Sequence, residues 1–227
     1  MPTKKIVLTA LHNAKNKYSM LCFLFISIAS FPIEFVQAQV VDKEYVNIEE
    51  ALKEPDKVVR LNLENQKNHD YFKTLAKFKN LQYLNLRNTD LNFIPAEVLT
   101  LKNLRVLDIG HNNFSLLPKN FSSLNNLQEL YLDEDKNLNL FEDFEILSKL
   151  KSLRILHLEN DGIKELPKNI GKLSHLEKLY LNDNELETLP DELKNLKNLN
   201  YLDVYHNPIA APLNFIKTYR GGLNIRF

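Results

Sequence analysis

Apolar and polar residues follow one repeated figure along most of this chain: a leucine-like residue, two variable positions, a second leucine, one variable position, a third leucine, then a polar residue. The figure begins at Val58, Leu81, Leu104, Leu127, Leu153, Leu176 and Leu199. Successive copies start 23 residues apart, except that Leu127 and Leu153 are 26 apart. Alternation inside each copy is the period of a short strand with one buried face. A single strand and its return segment cannot enclose that face, whereas stacked copies bury a continuous core, so the period predicts a solenoid.

The cleanest copy places Leu176, Leu179, Leu181, Asn184, Leu186, Leu189, Pro190, Leu193 and Leu196 in order. Leu81, Leu84, Leu86, Leu91, Ile94, Pro95, Val98 and Leu101 form a second set. Leu104, Leu107, Ile109, Asn112, Phe114, Leu117, Pro118, Phe121 and Leu124 form a third, and Leu153, Leu156, Leu158, Ile163, Leu166, Pro167, Ile170 and Leu173 a fourth. On these residues, over 58–210, the chain resembles the leucine-rich repeat family in its 23-residue form, whose second half reads L-x-x-L-P-x-x-I-x-x-L. The resemblance implies an α/β solenoid: a right-handed superhelix with a curved parallel sheet on its concave face and about seven repeats. It also implies that ligands are mostly proteins or peptides, bound on that sheet.

Each open end of such a core needs a cover. Residues 39–57 are expected to form an N-terminal helical cap, with Asn47 as N-cap, Ile48, Ala51 and Leu52 inward, acidic residues in the first turn and Pro55 as the stop. Residues 211–227 are expected to form a C-terminal cap. There Leu213, Phe215, Ile216 and Tyr219 fall at helical spacing, Gly221 and Gly222 end the helix, and 223–227 alternate as a strand.

Strand geometry divides the repeat residues between core and surface, and equivalent outward residues of neighbouring copies line up in stripes. One stripe runs Arg60, Tyr83, Val106, Glu129, Ile155, Lys178, Tyr201; the next runs Asn62, Asn85, Asp108, Tyr131, His157, Tyr180, Asp203. A third runs Glu64, Arg87, Gly110, Asp133, Glu159, Asn182, Tyr205. Five tyrosines stand on a face that the core does not need to be aromatic, beside an acidic centre at Asp108, Glu129, Asp133, Glu134 and Glu159. Tyrosine brings large area and a polar tip, as interfaces prefer. The candidate partner-binding residues are therefore Tyr83, Arg87, Asp108, Glu129, Tyr131, Asp133, His157, Glu159, Tyr180, Tyr201 and Tyr205. The plainer alternative is a soluble, β-prone face with no ligand.

The polar consensus position holds Gln66, Thr89, Asn112, Asp135, Asp161, Asn184 and Asn207. The family resemblance implies an inward side chain there, bonded to backbone between coils. Aspartate and threonine lack the full amide set of donors and acceptor, which predicts a weaker ladder in copies two, four and five. Copy four, 127–152, lacks the Leu-Pro step and carries three extra residues, so a helical turn over 141–150 is expected in place of the usual return. Its Asp133, Asp135 and Asn137 match the first ligand positions of an EF-hand loop, but Leu138 stands where glycine is needed and Phe144 where the bidentate glutamate should be. No metal or other cofactor is expected.

The first residues differ in kind. Lys4, Lys5, Lys15 and Lys17 precede an apolar run over 20–31, and Val36-Gln37-Ala38 offers small residues for a peptidase, so 1–38 reads as a secretory signal cut after Ala38. An uncleaved anchor is disfavoured because Pro32 and Glu34 interrupt a run too short to span a bilayer. Lipid attachment at Cys22 is disfavoured because Leu21 precedes it. Removal of 1–38 lowers Lys plus Arg from 29 to 25 and Asp plus Glu from 29 to 28, leaving a weakly acidic chain with no thiol. That charge excludes a nucleic-acid stripe, and an exported repeat protein without disulfides points to a bacterial source. The compartment is then the periplasm, the outer surface or the medium.

Catalysis has no constellation. His111, His157 and His206 sit on separate copies, no serine lies on the stripes, and there is no glycine-rich phosphate loop. The sequence thus reads as a non-enzymatic, monomeric, exported binding module for a protein or peptide. The second reading is a structural or adhesive protein of the cell envelope that recognises glycan or other surface components.

Overall fold

The computed structural model describes residues 43–210 and 222–227; the signal segment expected over 1–38 and the helix expected over 213–219 lie outside the described residues. Nine parallel strands form one open, curved sheet in simple chain order. They are β1 (Glu44–Tyr45), β2 (Arg60–Asn62), β3 (Tyr83–Asn85), β4 (Val106–Asp108), β5 (Glu129–Tyr131), β6 (Ile155–His157), β7 (Lys178–Tyr180), β8 (Tyr201–Asp203) and β9 (Asn224–Arg226). Seven of them start the seven sequence copies.

The register follows the leucines. Leu61, Leu84, Leu107, Leu130, Leu156, Leu179 and Leu202 pair in line across seven strands, and every one is fully buried. A slip of one residue would turn this whole row to solvent. Tyr45 of β1 continues the row by pairing with Leu61 and is itself buried. The leucine figure starts only at Val58, so β1 has no counterpart among the copies read from sequence.

Three of the connections are helical. The first, α1 (Ile48–Ala51), starts behind Asn47, whose Oδ1 accepts the Glu50 N–H at 3.0 Å. In copy one the return is α2 (Phe72–Leu75). Copies two, three, five and six return through 3₁₀ turns at Val98–Thr100, Lys119–Ser123, Lys168–Lys172 and Asp191–Asn195. Pro118, Pro167 and Pro190 enter three of these turns in extended conformation, because proline fixes φ and cannot donate to a preceding turn. Copy four has no such proline, and its extra residues wind into α3 (Leu140–Leu147), capped by Asn139 and burying Phe144, Ile146 and Leu147. The helix begins one residue earlier and ends three residues sooner than the sequence spacing suggests.

Every coil bends at the residue just before the consensus polar position. Asn65, Asn88, His111, Glu134, Asn160, Asp183 and His206 all have φ between 53° and 65°. Asparagine, aspartate and histidine tolerate this left-handed region. Glu134 does not share that tolerance, and its bend costs about 1 kcal/mol.

Behind the bend lies the polar ladder. Asn112 Oδ1 accepts the N–H groups of Thr89 and Leu91, while its amide donates to the Leu86, Ile109 and Gly110 carbonyls. Asn184 repeats the pattern on Asp161, Ile163, Leu158 and Leu181. A second ladder runs along the opposite bend: Asn80, Asn103, Asn126 and Asn198 each donate to the backbone carbonyl 24 residues earlier, at 2.8 to 2.9 Å.

Candidate functional site

The residues that point away from the leucine row make the concave wall. Strand pairing lines up Arg60, Tyr83, Val106, Glu129, Ile155, Lys178 and Tyr201, and beside them Asn62, Asn85, Asp108, Tyr131, His157, Tyr180 and Asp203. Just beyond the strands, coil-to-coil backbone bonds carry the third stripe, including Asn88 N–H to Gly110 and His111 N–H to Asp133.

An aromatic column occupies the middle of this wall. The Tyr131 and His157 rings stack at 3.8 Å and 8°, His157 and Tyr180 at 4.4 Å and 4°, and Tyr201 tilts against Tyr180 at 5.3 Å. Neighbouring strands sit about 4.8 Å apart, so rings at one register position are brought to stacking distance by the sheet itself. Toward the ends, Arg60 lies over the Tyr83 ring and Arg226 over Tyr205.

His157 is held from both sides. Its Nε2 meets Glu129 at 3.0 Å and its Nδ1 meets Glu159 at 3.1 Å. Burial alone would lower its pKa, but the two carboxylates outweigh that and push it up to about 9, so the ring is an imidazolium at neutral pH. Glu129 also accepts the Tyr131 hydroxyl at 2.7 Å. Burial and this carboxylate keep the Tyr131 phenol protonated well above the ordinary tyrosine range.

Arg87 organises the other part of the wall. It bonds Asp108 at 3.1 Å, Glu134 at 3.2 Å and, most closely, Asp133, two coils away. Its passage runs over Gly110, where a Cβ would stand 2.7 Å from Arg87 Nη2 and 2.7 Å from the Asp133 carbonyl. Gly110→Ala is therefore expected to displace the guanidinium and destabilise the fold by about 1 to 3 kcal/mol. Thermal melts check this; an unchanged midpoint would mean that the clamp relaxes freely.

The structure thus brings all eleven candidate residues onto one face, but it does not leave them equally available. Asp108, Asp133 and His157 are nearly buried. Tyr83, Arg87, Glu129, Tyr131, Glu159, Tyr180 and Tyr201 are half-buried, and Tyr205 is exposed. The acidic centre is partly neutralised from within by Arg87 and His157, a feature that sequence reading did not foresee. Asp133, Asp135 and Asn137 do not form a metal loop: Asp133 turns to Arg87, Asp135 is fully buried, and Asn137 is exposed. No group of three acids, histidines or cysteines is placed to hold a metal among the described residues. No helix among them is long and apolar enough to cross a membrane.

The sequence profile of the leucine-rich repeat region matches residues 57–151 and 142–217. This chain belongs to the leucine-rich repeat family. Among solved structures, a leucine-rich repeat protein of Leptospira interrogans is 27% identical over 74% of this chain and 54% of its own, with a TM-score of 0.52. An internalin of Listeria monocytogenes aligns over 74% of this chain and 46% of its own, at 20% identity and a TM-score of 0.55. Drosophila Toll, solved in complex with Spätzle, aligns over 72% of this chain and 22% of its own, at 22% identity and a TM-score of 0.61. The matches to the first two take in only about half of those chains. No curated protein sequence matches this one.

Proposed function

We propose that this chain is an exported bacterial binding module that holds a protein or peptide against its concave sheet. Tyr180, Tyr201 and Tyr205 are the principal contacts. Tyr83, Tyr131, Arg87, Asp108, Glu129, Asp133, His157 and Glu159 build and stiffen the wall around them. The observation that carries this reading is the column Tyr131–His157–Tyr180–Tyr201, an aromatic surface with no role in the leucine core. Its rings are fixed before any ligand arrives, so little side-chain entropy remains to be lost on binding. The family is generally one of binding scaffolds, and Toll, which shares the fold, is seen holding a protein. Export rests on the pattern of residues 1–38.

Binding is tested with the purified chain as bait against proteins of its own cell and surroundings, in parallel with a glycan array. Replacement of both Tyr180 and Tyr201 by alanine is expected to leave folding intact and to weaken protein capture by more than about 1 kcal/mol. Undiminished capture would remove the column from the site. Glycan binding abolished by the same substitutions would replace the protein ligand with a carbohydrate. Intact mass of the exported form reads cleavage after Ala38 directly.

A further inference from the structure

The ladder behind the concave wall changes chemistry at its centre, where aspartates 135 and 161 replace asparagine. An ionised carboxylate accepts hydrogen bonds but donates none. In the asparagine coils the amide donates to two ladder carbonyls, its own and that of the coil before: Ile109 and Leu86 for Asn112, Leu181 and Leu158 for Asn184. By the same register the Leu132 carbonyl falls to Asp135 and Asp161, and among the described residues no donor reaches it. Asp161 Oδ1 accepts the Asp135 N–H at 2.7 Å. Its Oδ2 and both carboxylate oxygens of Asp135 are buried without a partner. Both side chains are more than nine-tenths buried.

We propose that the Asp135–Asp161 pair holds a carboxyl proton that is donated to the Leu132 carbonyl in place of an asparagine amide, so that the join between coils four and five tightens in acid and loosens as the proton leaves. The surroundings favour the proton. Asp133 and Glu159 add negative charge beside the pair, and Arg87 is the cation that opposes them. The cleft over the pair is rimmed by Lys136, Lys164 and Glu165. Burial pushes Asp135 up to about 7, the nearby Asn112 N–H pulling the other way without reaching hydrogen-bond geometry, and Asp161 up to about 8, against the hydrogen bond from the Asp135 N–H. An unfolded aspartate titrates near 3.8, so the folded chain binds the extra proton between that value and 7 to 8. The stabilisation is complete below about pH 4 and is lost as pH climbs through the folded values. The loss from His157 lies higher, between 6.5 and about 9. Asp143, pushed up by burial to about 6, contributes equally to any chain that retains it.

The test compares the full chain with the double variant Asp135→Asn, Asp161→Asn between pH 5 and 6.5, below the range of His157. The wild-type melting midpoint is expected to fall by about 3 °C or more over that range, and the variant by less than half as much. Parallel curves would overturn the proposal. Infrared spectra of the wild type supply a readout that does not depend on the variant folding. A buried carboxylic-acid carbonyl band still present at pH 7, where Asp143 has mostly given up its proton, and gone at pH 9 is expected, and its absence at pH 7 would overturn the proposal equally.

Discussion

Truncation of Leu107 to alanine is expected to lower the unfolding free energy by about 2 to 5 kcal/mol. Leu107 is fully buried and pairs in register with Leu84 on one side and Leu130 on the other. In a stack where each coil packs only against its neighbours, no distant part of the core can move in to fill the gap. The range covers the lost transfer free energy and the cavity left behind. Val106→Ala, one residue away on the outward row, serves as the control and should change stability by no more than about 0.5 kcal/mol. Urea denaturation of both variants checks the alternation. Equal losses would contradict the register of the sheet.

Removal of the Asn112 side chain is expected to be at least as damaging. Alanine there strips partners from two backbone N–H groups, Thr89 and Leu91, and from the Leu86, Ile109 and Gly110 carbonyls. The Leu86 carbonyl keeps the Thr89 hydroxyl and the Gly110 carbonyl keeps the Asn88 N–H, but the two N–H groups and the Ile109 carbonyl are left without these partners at a buried bend, and each unsatisfied one costs about 1 to 3 kcal/mol before relaxation. A total loss of about 3 to 5 kcal/mol is expected by denaturant titration. Asn112→Asp should fall between the wild type and alanine, since it keeps the acceptor and loses the donors. A loss below about 1 kcal/mol for alanine would mean that the bends are held by packing alone.

The two variants probe what was plainest in the sequence. The leucine period placed every strand from β2 to β8 and assigned each side chain to the core or the wall, because a period of two leaves no freedom once one face must be buried. The extra residues and missing proline of copy four announced α3. Other features were written less openly. The strand at Glu44–Tyr45 uses tyrosine where the copies use leucine, so no motif marks it. The second asparagine ladder does recur in sequence, at Asn80, Asn103, Asn126 and Asn198, but an asparagine that follows a lysine or another asparagine reads as a solvated residue until its carbonyl partner is seen.

The wall was legible as a set of residues and not as a set of interactions. Tyr131, His157 and Tyr180 could be placed in one row from the spacing alone, yet nothing in the spacing gives the imidazole its two glutamates. Arg87 is the sharper case. Its reach to Asp133 skips a coil and depends on the missing side chain at Gly110. That glycine was visible as one small residue in a stripe of large ones, a pattern that signals close approach.

The stacking of Tyr131, His157 and Tyr180 also limits how the wall can be read by a visitor. His157 spends both flat sides on its neighbours and Tyr131 and Tyr180 one each, so an arriving molecule meets chiefly a comb of rims and phenol oxygens, spaced by the pitch of the coils. On the proposed binding reading, such a comb favours an extended chain whose polar atoms keep step with that pitch.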